Sequence, residues 1–292
     1  MNLKNADKFG IIDIGSNTIR GVLYSGGKKP AALDTITFQS NILESTFENK
    51  LTAEGIFNLS ESISEIKKGF GECEYIFAFA TSAMRDVANF PEVLEEIKKK
   101  TGVLIELISG DKEAEFDYLA LKSKSDKKSG IGVDLGGGSA QVVVYDDNGV
   151  KESLSMPIGV KRVRNMFCAD IVPTVDEIVK IEKYIEEQLL PIKGRNKEIW
   201  FMGGTAKAVS KAGNKLLGKD EVSPEIIDGL FDITAGNIPL LMKIFKKRYE
   251  TMPVGFIVMK NICKNLGGEK IKVAEVGVRD GYVLRLMEDE ND

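Results

Sequence analysis

Fourteen residues near the start of the chain return, without a gap, in its middle. IIDIGSNTIRGVLY, from Ile11, lies over GVDLGGGSAQVVVY, from Gly132, at a constant offset of 121 residues, which sets Asp13 over Asp134, Gly15 over Gly136, Thr18 over Ser139 and Tyr24 over Tyr145. Each copy reads as strand, tight glycine turn, strand. An apolar run carries an aspartate near its end, Gly or Asn is expected to supply positive φ in the turn, and a β-branched run returns. One such copy is explained by a tight turn alone. Two in register, each with an aspartate and a hydroxyl at matched places, point to shared chemistry and to two similar domains facing each other across a cleft.

The surrounding pattern is α/β. Strand-like runs at Gly10–Tyr24, Tyr75–Thr81, Val103–Ile108, Gly132–Tyr145 and Glu198–Met202 alternate with helical periodicity at Ala53–Gly69, Phe90–Lys100, Asp176–Leu190 and Thr205–Ala212. KSKSDKKSG, Lys122 to Gly130, has no apolar residue. It places the expected domain boundary between residues 124 and 125, giving domains 1–124 and 125–292.

Composition removes several chemistries. The chain has no histidine, which excludes Ser-His-Asp and Cys-His catalysis and histidine metal sites, and leaves acid/base work mainly to Asp, Glu or Lys. A net charge of −4 speaks against a nucleic-acid polymer as partner. The three cysteines are far apart with no CxxC spacing, so buried free thiols are expected. No run has the length of a membrane span and the first residues lack a signal-peptide pattern, so a cytoplasmic protein is expected.

The hairpins suit phosphate. Glycines let backbone N–H groups approach an anion, a hydroxyl at Thr18 or Ser139 adds a donor, and the aspartate can hold a divalent cation or position water. Glu113 follows the strand GVLIELI and the break Ser109-Gly110, in the opening turn of a helix at the carboxyl end of a strand, where α/β sheets place ligands. The helix dipole alone also favours glutamate there. Arg85 follows YIFAFA and a cap at Thr81 or Ser82, which presents a guanidinium fork to phosphate or pairs it with Asp86. Gly203, Gly204 and Thr205 end the strand IWFM and open a helix, a turn that serves packing as readily as binding. Lysines at 98–100, 122–128, 207, 211, 215 and 246–247 either line a polyanion path or face solvent.

DIGSNTIR, TSAMRD, ISGDKEAEF, VDLGGGS, MPIGVKR, MGGT and GVRDG, in this order, resemble the signature of the exopolyphosphatase and guanosine pentaphosphate phosphohydrolase family, in its short two-domain form. The resemblance implies two ribonuclease H-like domains of the actin, sugar kinase and chaperone ATPase superfold around a central cleft. It implies release of terminal phosphate from inorganic polyphosphate, or attack on guanosine pentaphosphate, with Glu113 as the base that activates water and Asp134 assisting it. Gly15, Ser16, Asn17, Thr18, Arg20, Arg85, Gly136, Gly137, Gly138, Ser139, Gly204 and Thr205 would bind phosphate, and Asp13 and Asp134 would hold Mg2+ or another divalent cation. The expected partners are polyphosphate or guanosine penta- or tetraphosphate, with homodimer formation open, and no membrane.

Two positions depart from the family pattern. Gln141 stands where relatives carry a glutamate thought to place metal or water, and Lys112 stands where a second acid precedes the catalytic glutamate. Lys112 would weaken Glu113 as a base or contact phosphate itself. A catalytically weak alarmone or polyphosphate sensor is the reading that Gln141 keeps open, and a small-molecule kinase of the same superfold is a further one.

Overall fold

A computed structural model describes residues 3–125 and 128–289. Positions 126 and 127, inside KSKSDKKSG, and positions 1–2 and 290–292 of the expected domains lie outside the described residues. Two five-stranded mixed sheets form the frame. The first uses β1 (Lys8–Ile14), β2 (Thr18–Ser25) and β3 (Ala32–Gln39), then, after a short hairpin of β4 (Thr46–Phe47) and β5 (Lys50–Leu51), β6 (Tyr75–Ala80) and β7 (Ile105–Leu107). Its order is β3-β2-β1-β6-β7, antiparallel through β3, β2 and β1 and parallel through β1, β6 and β7. The second uses β8 (Gly130–Leu135), β9 (Ala140–Asp146), β10 (Gly149–Met156), β11 (Glu198–Met202) and β12 (Lys270–Val273). Its order, β10-β9-β8-β11-β12, repeats the first sheet strand for strand and direction for direction. This is the duplication announced by the repeat, in the ribonuclease H-like arrangement of the actin-type fold that the family resemblance implies.

The central strands are apolar because helices cover them. Phe9, Ile11, Ile12 and Ile14 of β1 are all buried, the continuous pattern of a strand covered on both faces, while β8 buries Ile131, Val133 and Leu135 on one face and Gly130 and Gly132 on the other. In the first sheet the helix Ala53–Phe70 packs Leu59, Ile63 and Ile66 beneath β1 and β2, and Gly21 stands where a side chain would collide with Ile66 and Phe70. In the second, Ile181 and Ile185 of Val175–Leu189 and Phe256, Met259 and Ile262 of Met252–Asn265 close the core.

By packing, the chain forms two compact units, Met1–Glu113 with Tyr282–Asp292 and Ala114–Gly281, each containing one of the five-stranded sheets. This division lies inside the helix Gly110–Lys122, upstream of the polar stretch that marks the expected boundary. Its body follows the second unit because Ala120 and Leu121 pack with Tyr145, Met202 and Val276. Tyr282 returns to the first unit, its ring 4.7 Å from that of Phe79. The thiols are free as expected, but only Cys263 is buried; Cys73 and Cys168 are half-buried because each lies at the margin of its core. Among the described residues, no helix is long and apolar enough to cross a membrane.

Candidate functional site

In the first unit, parallel strands end together. Thr81 N–H donates to the Ile14 carbonyl at 3.2 Å, and Ile108 N–H to the Ala80 carbonyl at 3.1 Å, so the exits of β1, β6 and β7 are tied side by side. Two helices start there. Ser82–Arg85 is a single turn, and Thr81 holds its N-cap position without a side-chain capping bond. Gly110–Lys122 starts after Ser109, whose hydroxyl accepts from Lys112 N–H at 3.2 Å.

These starts bring Arg85 and Glu113 together. Arg85 Nη1 donates to Glu113 Oε2 at 2.8 Å and to the Ile108 carbonyl at 3.0 Å. The Glu113 side chain is only 7 % exposed and that of Arg85 22 %. The carboxylate is therefore a partner of Arg85 that the sequence reading missed by looking to adjacent Asp86. Lys112 pairs with Glu106: its ammonium lies 2.5 Å from Glu106 Oε1, and Glu106 Oε2 accepts from the Tyr282 hydroxyl at 3.4 Å. Burial, followed by the charge of Glu106, pushes the Tyr282 phenol well above its ordinary range.

The β1–β2 turn carries Asp13, Gly15, Ser16, Asn17, Thr18 and Arg20. Gly15 N–H donates to the Thr18 carbonyl at 3.0 Å, and a Cβ on Gly15 would meet that oxygen at 3.3 Å. Ser16 is buried, and the Asn17 carbonyl accepts from Ser40 N–H at 3.2 Å. Asp13 and Arg20 are cross-strand partners, and Arg20 Nε is buried, so this side chain is not the solvent-facing one a strand position allowed.

The β8–β9 turn repeats the design. Gly136 N–H donates to the Ser139 carbonyl at 3.0 Å, with the ideal Cβ of Gly136 3.2 Å from that oxygen, and Asp134 faces Gln141 across the strands as Asp13 faces Arg20. Neither turn uses the expected positive φ: Gly15, Asn17, Gly136, Gly137 and Gly138 are absent from the left-handed region. Small size serves close approach instead. A Cβ on Gly159 would overlap Ser139 N and the carbonyl carbons of Gly137 and Gly138.

That approach docks the helix Val160–Phe167 onto the turn. Val160 N–H donates to the Gly136 carbonyl (3.0 Å), Lys161 and Arg162 N–H to the Gly137 carbonyl (2.9 and 3.0 Å), and Arg162 Nε to the Gly138 carbonyl (2.7 Å). In a trans peptide the N–H points opposite to the C=O of the same plane. With three carbonyls turned toward this helix, the N–H groups of Gly137, Gly138 and Ser139 are aimed away from it. Arg162, in the motif MPIGVKR, is a contact of this turn that the sequence reading left without a role.

Asp134 is framed by glycine. Gly203, at φ +91°, would place a Cβ 2.7 Å from Asp134 Oδ1, and Gly277 one 3.7 Å from Oδ2. A side chain at Gly203 would crowd Oδ1, whereas one at Gly277 would make ordinary contact with Oδ2. Gly204 is likewise pressed by the Arg248 guanidinium, which singles out one residue of the KKR run at Lys246. Thr205 is buried, with its methyl over Gly255, so packing claims it. Several other basic residues are engaged at the surface: Lys100 with Glu61 at 2.5 Å and Lys128 with Asp147 at 3.6 Å. Among the described residues no three Asp, Glu or Cys side chains converge as a metal cage. Mg2+ does not require one, since it keeps waters and takes one or two carboxylates with substrate oxygens, and a carboxylate flanked by glycines fits that habit.

Comparison with known proteins bears on this geometry. The model of the Ppx/GppA phosphatase family matches residues 40–290. Exopolyphosphatase 1 of Mycobacterium tuberculosis is 24% identical, with 98% of this chain and 90% of that protein covered. The Mycobacterium leprae protein of the same name is 25% identical over 98% and 91%. Among solved structures, an exopolyphosphatase from Cytophaga hutchinsonii superposes with a TM-score of 0.88 at 18% identity, covering 97% of this chain and 98% of that one. A Ppx/GppA family member from Aquifex aeolicus does so with 0.81 at 23%, covering 98% and 99%. These likenesses establish a shared fold.

Proposed function

Because the chain belongs to the Ppx/GppA phosphatase family, we propose that this phosphatase is an exopolyphosphatase, releasing terminal phosphate from inorganic polyphosphate by attack of water. The observation that carries the chemistry is the near-buried Glu113 carboxylate, held by Arg85 at the exits of parallel strands. In a chain without histidine, a positioned carboxylate is the group available to take the proton of an attacking water. Names of the curated relatives favour polyphosphate over guanosine pentaphosphate as substrate.

In this reading Glu113 is the base. Arg85 orients it and answers phosphate charge with a planar fork. Gly137, Gly138 and Ser139 offer N–H groups to phosphate oxygens from the β8–β9 turn, with Gly136 shaping it, and Gly15, Ser16, Asn17, Thr18 and Arg20 do the corresponding work in the β1–β2 turn. Gly204 and Thr205 are the weakest members of the set, since both are explained by packing. Asp134, and Asp13 in its own hairpin, would hold Mg2+ through water or directly. When bound, the ion would offset charge on the transferring phosphoryl group. The protein is taken to be cytoplasmic.

Phosphate release from long-chain polyphosphate, measured for wild type and Glu113→Gln with added Mg2+ and with chelator, tests the reading. Release by wild type that falls by about 100-fold or more in the variant is expected. Equal release by both proteins removes Glu113 from the mechanism, release only from guanosine pentaphosphate reassigns the substrate, and binding without release identifies a sensor.

A further inference from the structure

Gln141 stands opposite Asp134 on β9 and is 2 % exposed. Its side-chain nitrogen donates to Ser139 Oγ at 2.8 Å and to Ser155 Oγ, on β10, at 3.0 Å. A hydroxyl has one proton and two lone pairs. When an amide N–H occupies a lone pair of Ser139, the hydroxyl proton is left to donate elsewhere. A carboxylate in the same place accepts only, and would draw that proton onto itself.

The backbone of Ser139 is set in the same sense by a separate contact. Arg162 Nε holds the Gly138 carbonyl at 2.7 Å, and the Ser139 N–H, in that same peptide plane, points the opposite way. Side chain and main chain of one residue are thus both prepared as donors.

We propose that Gln141 is a positioning residue that fixes the polarity of Ser139, so that this residue meets a phosphate oxygen with both its N–H and its O–H. The assignment rests on the polyphosphate reading and deepens it. It gives the departure from the family's glutamate a function: the amide makes the turn a stronger anion receptor rather than recording lost chemistry. It also predicts that the apparent repair, restoring a glutamate, harms substrate capture.

The test compares wild type, Gln141→Glu, Ser139→Ala and the double variant for KM and kcat on long-chain polyphosphate, with tripolyphosphate binding by calorimetry and Tm recorded for each. Gln141→Glu and Ser139→Ala should each raise KM and the tripolyphosphate Kd about tenfold, the value of one hydrogen bond to a charged oxygen. The double variant should be no worse than the singles, because both remove the same bond. Gln141→Met, of similar volume and without a donor, should raise KM in the same direction and serves if the buried glutamate prevents folding. Unchanged or lower KM in Gln141→Glu, a rise in its kcat, or additive losses in the double variant would overturn the assignment while leaving the parent reading intact. Wild-type protein that neither binds tripolyphosphate nor cleaves polyphosphate would overturn both.

Discussion

Arg85 Nη1 lies 2.8 Å from Glu113 Oε2, although 28 residues separate the two in sequence, with Arg85 closing a one-turn helix and Glu113 in the first turn of another. The pairing comes from the sheet. Because β6 and β7 run parallel, their exits deliver the following helices to the same edge, and the Ile108 carbonyl anchors the guanidinium between them.

Arg85→Met removes one member of a largely buried pair and is expected to cost about 3 kcal/mol in calorimetry, because the carboxylate stays in its desolvated place. Adding Glu113→Gln should recover a substantial part of that loss. Losses that simply add would show that the two groups do not interact energetically.

Gly159→Ala puts a methyl into the backbone of the β8–β9 turn and should lower stability by about 1–3 kcal/mol while raising KM, since the turn must yield for the chain to fold. Gly236→Ala is the control: that glycine has φ −83° and open space where a Cβ would stand, so its Tm should hold or rise slightly. Equal effects of the two changes on Tm and KM would remove the steric argument.

Arg162→Met, which takes away the hydrogen bond to the Gly138 carbonyl, should raise KM about threefold to tenfold with kcat little changed. Arg162→Lys, able to supply one donor, should recover part of it. A fall in kcat at constant KM would instead place Arg162 in the chemical step.

Alkaline pH should test the buried thiol of Cys263 and the half-buried one of Cys168. Burial pushes Cys263 from 9.0 to about 12, and burial with the charge of Glu177 pushes Cys168 to about 11. Their folded-state values lie above the unfolded ones, so the stability they lend is complete below about pH 9 and is lost as pH rises from there toward 11–12. Chemical denaturation followed between pH 8 and 11 should therefore show falling stability, less steeply in Cys263→Ala. Native Cys263 should resist iodoacetamide at pH 8 and label once denaturant is added. Identical slopes for wild type and variant would deny Cys263 a part.

Much of the frame was legible because duplication is a long-range signal carried by short local patterns. The offset between Asp13 and Asp134 announces two hairpins, and both appear with the same Gly N–H to carbonyl bond, Gly15 to Thr18 and Gly136 to Ser139. Strands β3, β10 and β12 were not legible. ALDTITFQ is a largely exposed edge whose alternation, Thr-Ile-Thr-Phe, is short, GVKESLSM is mostly polar, and KIKV is too short to show a period. For the candidate site, residue identity indicated which groups matter, whereas partners depended on the sheet. Nothing near Arg85 in sequence points to Glu113, and nothing near Gly138 points to Arg162. The glycines also misled in one respect: their number suggested left-handed turns, while their use is to admit another backbone.

The carbonyls of Gly136, Gly137 and Gly138 are already bonded to the helix Val160–Phe167 in the folded chain. As the phosphate cradle proposed above, the turn is consequently a mould shaped by these bonds. Capture of a tetrahedral oxyanion then needs little chain ordering, so the loop itself should add little heat-capacity change to binding. Such a mould selects by fit: oxyanions close to phosphate in radius should occupy it in proportion to their charge and size, and a planar anion of equal charge should not.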